Sequence, residues 1–218
     1  MRLRVLQPGA TSLLFAAASS RLATMSATAP DKLPYGSWPS PITARFITTS
    51  GVRLGSPSVD ASGELYWLEG RPQEGGRQVV VRYVGAADGA SERGAVDVTP
   101  KEDNVRTRVH EYGGGAYVLA PDGAVIYSDF KSQRLFKSSA GAPIPVTPET
   151  SYEETGRYRF ADAQVTPSGK FLVAVREDHG EGSKRVPSEV VNEVVSIALD
   201  GSGTMEVLAT GNDFYAAP

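Results

Sequence analysis

"LAPDGAVIYS" occupies Leu119 to Ser128. Its Asp122-Gly123 pair stands between two short apolar runs. Glycine supplies the positive φ that a tight hairpin turn needs, and an Asp or Ser before it can bond its own backbone. The stretch therefore reads as strand, turn, strand. The same phrase occurs twice more, as "VDASGELYWL" (Val59 to Leu68) and "VTPSGKFLVA" (Val165 to Ala174), which aligns Gly63, Gly123 and Gly169. A second marker, "DVTP" at Asp97 to Pro100 and "PVTP" at Pro145 to Pro148, closes a unit before the chain returns for the next.

Around these markers the apolar and β-branched residues alternate with period two, and no long amphipathic helix is visible. The first unit predicts strands near Ser56–Val59, Glu64–Leu68, Gln78–Val84 and Ala95–Val98. The second predicts Ala116–Ala120, Ala124–Ser128, Arg134–Ser138 and Pro145–Thr147. The third predicts Ala163–Thr166, Lys170–Arg176, Glu193–Leu199 and Met205–Ala209, with a candidate helical turn over Tyr152–Phe160. Repeated four-strand units are the signature of a β-propeller, whose blades pack radially about a channel. The rival all-β arrangement, a Greek-key sandwich, lacks a repeated turn-and-closing motif. The expected fold is thus all-β, a partial β-propeller of about three four-stranded antiparallel blades. "GNDFYAAP" (Gly211 to Pro218) reads as the start of a fourth blade, incomplete at the C-terminus.

Composition sets the outer limits. The chain has 218 residues, 40% of them hydrophobic, and a net charge of −3, which fits a globular protein with a sizeable core. No basic stripe points to nucleic acid and no polybasic cluster to an anionic membrane. With no cysteine, disulfides, thiolate catalysis and Cys-based metal sites are excluded. Residues 1–30 carry Arg2, Arg4 and Arg21, no acidic residue, and much Ala and Ser. That is the composition of an organelle transit peptide, mitochondrial or other. A secretory signal with its apolar core at Leu13–Ala18, or a bland tail before a cytoplasmic protein, is the alternative. The expected layout is a leader over 1–30, an entry segment over 31–53, and propeller blades over 54–218.

Further stretches carry a resemblance: "YGSWPSPITA" (Tyr35 to Ala44), "YWLEGRPQEGGRQVVVR" (Tyr66 to Arg82), "NVRTRVHEYGGGAY" (Asn104 to Tyr117), "REDH" (Arg176 to His179), "VVNEVVSIALDGSG" (Val190 to Gly203) and "GNDFYAAP". Together they resemble the prolyl oligopeptidase family of serine peptidases, closest to its dipeptidyl aminopeptidase or acylaminoacyl peptidase-like branch. The resemblance implies an N-terminal propeller that caps a C-terminal α/β-hydrolase domain and admits short peptides to a Ser-Asp-His triad. Peptide substrate and that hydrolase domain are the partners it implies. The nucleophile of such a domain sits in a G-x-S-x-G elbow, and no serine of this chain has that setting. No catalytic residue is therefore assigned here. The expected chain is a propeller fragment that gates or binds peptide, with a non-enzymatic propeller scaffold as the alternative; Trp38 and Trp67 form no WD-type repeat.

Candidate chemistry collects in "TRVHEYGGGAYVL", Thr107 to Leu119. The triple glycine lacks the strand–loop–helix context of a phosphate cradle. It suits instead the crowded entry to an inner strand, where missing side chains let backbones approach, at a seam between the first and second blades. Arg108, His110, Glu111 and Tyr112 just before it would sit at the channel mouth. There they either fix the joint between blades or bind substrate, with Glu111 accepting the ammonium of a peptide terminus. "REDHGEG" (Arg176 to Gly182) gathers Glu177, Asp178, His179 and Glu181 without ligand-loop spacing, and reads as a solvated charged hairpin loop. No cofactor and no metal site are expected.

Overall fold

All four residues of Val125–Ser128 are buried. A strand with one wet face alternates buried and exposed positions, so this one must be covered on both sides. In the computed structural model, which describes residues 32, 34–37, 40–48, 51–85, 94–139, 141–149, 157–180 and 187–218, it lies in the middle of three four-stranded antiparallel sheets. The first blade is β1 (Arg53–Val59), β2 (Leu65–Arg71), β3 (Arg77–Val84) and β4 (Gly94–Asp97). The second is β5 (Tyr117–Leu119), β6 (Val125–Ser128), β7 (Leu135–Ser138) and β8 (Ile144–Pro145). The third is β9 (Tyr158–Val165), β10 (Phe171–Asp178), β11 (Val191–Ala198) and β12 (Met205–Thr210). In each, the strands are neighbours in chain order. This is the expected partial propeller.

The repeated phrases explain themselves. Gly63, Gly123 and Gly169 all take left-handed φ, at 89°, 80° and 69°, and each donates its N–H to the carbonyl three residues earlier. The threonine of each closing marker has a matching role. Thr99 Oγ1 accepts from Val80 N at 3.3 Å, and Thr147 Oγ1 accepts from Leu135 N at 3.0 Å. Each buried hydroxyl thus takes up a third-strand amide where the fourth strand departs.

The two faces of β6 serve two cores. Val125 and Tyr127 pack with Tyr66, Val80 and Val105 toward the first blade. Ala124 and Ile126 pack with Phe160, Leu172, Ala174, Val195 and Ile197 toward the third. Backbone bonds reinforce the first seam: Phe130 N donates to Asn104 O at 2.8 Å and Arg106 N to Ser128 O at 3.0 Å. The Tyr117 hydroxyl donates to Ser56 O at 2.6 Å.

One expected element differs. Tyr158–Phe160 belongs to β9, not to a helical turn, because Phe160 is drawn into the core and its backbone pairs with Arg176; Tyr152–Gly156 lies outside the described residues. The only α-helix among the described residues is the five-residue α1 (Ala44–Thr48), and none is long and apolar enough to cross a membrane. Two compact units emerge, Met1–Thr43 and Ala44–Pro218. The described part of the first contains a turn in which the Ser37 hydroxyl donates to Pro34 O at 2.6 Å. The expected leader over 1–30 lies outside the described residues.

Ile126→Ala removes a fully buried side chain at the second seam and should destabilise the protein by about 2–5 kcal/mol. An exposed control such as Glu206→Ala should change stability by under about 0.5 kcal/mol. Urea unfolding followed by tryptophan fluorescence measures both.

Candidate functional site

The loop before β5 is built from strained residues held by a neighbouring blade. His110 and Glu111 both have left-handed φ, 54° and 64°, a conformation that costs a side-chain-bearing residue about 1–3 kcal/mol. Three amides hold it. His110 N donates to Glu177 Oε1 at 2.7 Å. Glu111 N donates to Arg108 O and Gly113 N to Val109 O, each at 2.9 Å. Val109 anchors the loop from below, buried against Ala161 and Val175.

The next two glycines are required by contact. A Cβ on Gly114 would stand 3.0 Å from Ala161 Cβ, and one on Gly115 2.9 Å from Asp162 Oδ1. The close approach allows a reciprocal clasp: Gly115 N donates to Asp162 Oδ1 at 2.6 Å and Asp162 N to Gly115 O at 2.9 Å. The glycines do serve close packing, but the seam is the one between the second and third blades. The expectation of a first-to-second seam fails because β9, not β1, runs alongside this segment.

A cavity of about 600 Å³ opens beside the loop. It lies where β10 ends, β11 begins and β12 ends. His110, Glu111 and Tyr112 line it, with Glu177, Asn192, Asp213 and Phe214. Three of the four expected site residues therefore come together. Arg108 does not line it: its guanidinium stacks 4.2 Å from the Phe130 ring centroid, and among the described residues its buried Nε has no hydrogen-bond partner. The His110 ring meets the Phe214 ring edge-on at 5.2 Å, and its Nε2 lies 3.1 Å from Asn192 Oδ1.

Behind the cavity runs a charge chain. Arg159, whose side chain is 9% exposed, donates from one nitrogen to Glu111 Oε1 at 2.7 Å and to Arg108 O at 3.1 Å. The Glu111 side chain is 73% exposed, and among the described residues its Oε2 has no bond. Glu177 is buried, with His179 Nε2 at 3.0 Å and the Arg159 guanidinium at 3.9 Å. Burial pushes its carboxyl pKa up, but hydrogen bonds from His179 and from the His110 amide, with the charge of Arg159, outweigh it and hold the group below its usual value. Glu177 is thus a stable carboxylate.

This corrects the reading of "REDHGEG" as a solvated loop for its first three residues. Arg176 to Asp178 end β10, and Arg176 and Glu177 are buried. Arg157 clamps Asp178 with two bonds of 2.8 Å, and Arg176 pairs with Glu193. Glu181 lies outside the described residues, and among the described residues no group of three or more His, Asp or Glu is placed to hold a metal. The signal for Glu177 was present: alternation puts it on the face of Val175, which is core, once the strand runs two residues past Arg176. Arg159 and Asn192 had no comparable signal, since only the pairing of strands brings them to the loop.

No protein-family model and no curated protein matches the chain. Solved structures do. A Mycobacterium tuberculosis puromycin-hydrolyzing peptidase is 32% identical, with a TM-score of 0.74 over 87% of this chain and 29% of its own. The chain is thus similar to a portion of peptidases of the prolyl oligopeptidase family. A puromycin hydrolase is 28% identical, with a TM-score of 0.67 over 83% of this chain and 28% of its own. A mutant of puromycin hydrolase complexed with PGG is 30% identical, with a TM-score of 0.65 over 82% and 27%. The chain thus spans less than a third of the prolyl oligopeptidase-family structures it matches, and corresponds to a propeller portion.

A carboxylate held below its usual pKa stabilises the fold fully above the unfolded value and loses that contribution as pH falls through the folded one. For Glu177 the loss begins near 4.5 and grows below it. Glu177→Gln should therefore lower stability at neutral pH by about 1–3 kcal/mol, and the gap to the parent protein should narrow at about pH 3. Urea midpoints at the two pH values measure this; an undiminished gap at low pH would contradict the assignment.

Proposed function

We propose that this chain is the peptide-holding propeller portion of a serine peptidase, and that the cavity beside His110 takes the free amino end of the peptide. The carrying observation is its lining: the carboxylates of Glu111, Glu177 and Asp213 and, among the described residues, no lysine or arginine. Such a wall favours an ammonium group. Tyr112 and Phe214, 81% and 69% exposed, add ring faces of the kind that attract cations. Glu111 is the direct contact, because its side chain reaches outward while Arg159 behind it fixes one oxygen and leaves Oε2 free for the ligand.

Cleavage itself belongs to a Ser-Asp-His triad in a hydrolase domain, since this chain has no G-x-S-x-G elbow. The puromycin-hydrolyzing activity named for two of the matched structures supports a peptidase of this type. In this reading the propeller admits short peptides and presents the amino end at a fixed distance from the nucleophile, which is what an enzyme that counts residues from the terminus requires.

In the complete enzyme, Glu111→Gln should lower kcat/KM for free-amine peptides by about tenfold to a hundredfold, the loss of one charge-assisted hydrogen bond. It should leave N-acetylated peptides unaffected. Paired hydrolysis assays on the same peptide with and without the acetyl group read the contrast; equal losses on both would assign Glu111 to the joint between blades alone.

A further inference from the structure

The first blade carries a second cavity, of about 340 Å³, with the opposite charge. It is formed where β1 begins, β2 ends and β3 begins, the same end of its blade that holds the acidic cavity on the third. Arg53, Arg71 and Arg106 line it, together with Gln78, and among the described residues no aspartate or glutamate does.

The three guanidinium groups are not equivalent. Arg71 is fully engaged: it grips Asp97 with bonds of 2.7 and 2.6 Å and Glu69 with bonds of 3.0 and 2.9 Å. Arg53 and Arg106 have no ion pair among the described residues, and both are exposed. Arg106 is nonetheless oriented, because its guanidinium rests 4.8 Å from the centroid of the Phe130 ring, on which Arg108 also stacks. Stacking holds the plane of an arginine while leaving its edge donors available. On the other side, Arg53 pairs through its backbone with Gly70, and the absence of a side chain there keeps the space beside it open. Arg53, Arg106 and Gln78 thus line one cavity, and among the described residues no carboxylate shares that lining.

We propose that this cavity is a carboxylate-binding site that takes the C-terminal carboxylate of a short peptide. A planar carboxylate matches the paired donors of a guanidinium edge. Only the choice of a peptide as bearer rests on the function proposed above; the anion preference stands on the cavity. A propeller with an acidic cavity on one blade and a basic one on another is suited to zwitterionic peptides over internal segments of folded chains.

The test uses N-acetyl-tetraalanine as the free acid and as the C-terminal amide, titrated calorimetrically into the purified protein. Neither probe carries an ammonium, so the result is independent of Glu111. The acid should bind at least about tenfold more tightly than the amide. Arg53→Gln with Arg106→Gln should abolish that preference, and Arg53→Lys alone should keep part of it. Circular dichroism confirms that these surface variants fold. Equal binding of acid and amide overturns the proposal, as does a preference that survives in the double variant. Inorganic phosphate displacing the acid at lower concentration than the acid itself requires would also overturn it, by making the site a phosphate site.

Discussion

A blade whose sheet is apolar on both faces cannot be stable alone. That constraint governs this chain. β6 has no exposed residue, and its alternate side chains belong to two different cores. With burial of each large aliphatic side chain contributing about 1.5–3 kcal/mol, the second blade exists because the first and third flank it. The flanking blades show the converse. Leu54, Val59 and Val96 are exposed on the first, and Phe171, Val207 and Leu208 on the third, while Ile144 is the only large hydrophobic exposed among the described strand residues of the second.

The cavity beside His110 follows from that packing and is not added to it. The loop that carries His110 and Glu111 precedes the second blade, but the His110 amide, Gly114, Gly115 and the Val109 anchor are all matched to the third. Strain in two consecutive left-handed residues persists because Glu177, Asp162 and Arg159 over-determine the backbone around them. Those same groups give the site its electrostatics: Glu177 stays ionised, and Arg159 holds Glu111 in place without entering the cavity.

Much of this was legible beforehand because it is local. Glycine turns, threonine closings and period-two alternation each depend on a few adjacent residues, and eleven of the twelve strands fall within three residues of their expected places, β9 alone beginning five residues earlier. The cluster of His110, Glu111 and Tyr112 was legible for the same reason. What escaped was set by pairing at a distance. Arg108 looked like a partner of its neighbours, yet it turns toward Phe130. Glu177 looked solvated because its strand was ended too early. Arg159 and Asn192 come to the loop through the register of β9, β10 and β11, which no short motif encodes.

The clasp between Gly115 and Asp162 spans 47 residues of chain, and the bond from His110 to Glu177 spans 67. During synthesis the loop therefore emerges well before the residues that shape it. Until the third blade pairs, only bonds within the loop itself hold His110 and Glu111 in their left-handed conformation, and the acidic wall has neither its buried carboxylate nor the Phe214 ring. Recognition of a ligand there is thus a late event in biogenesis, and a nascent chain carrying only two blades passes through the cell blind to it.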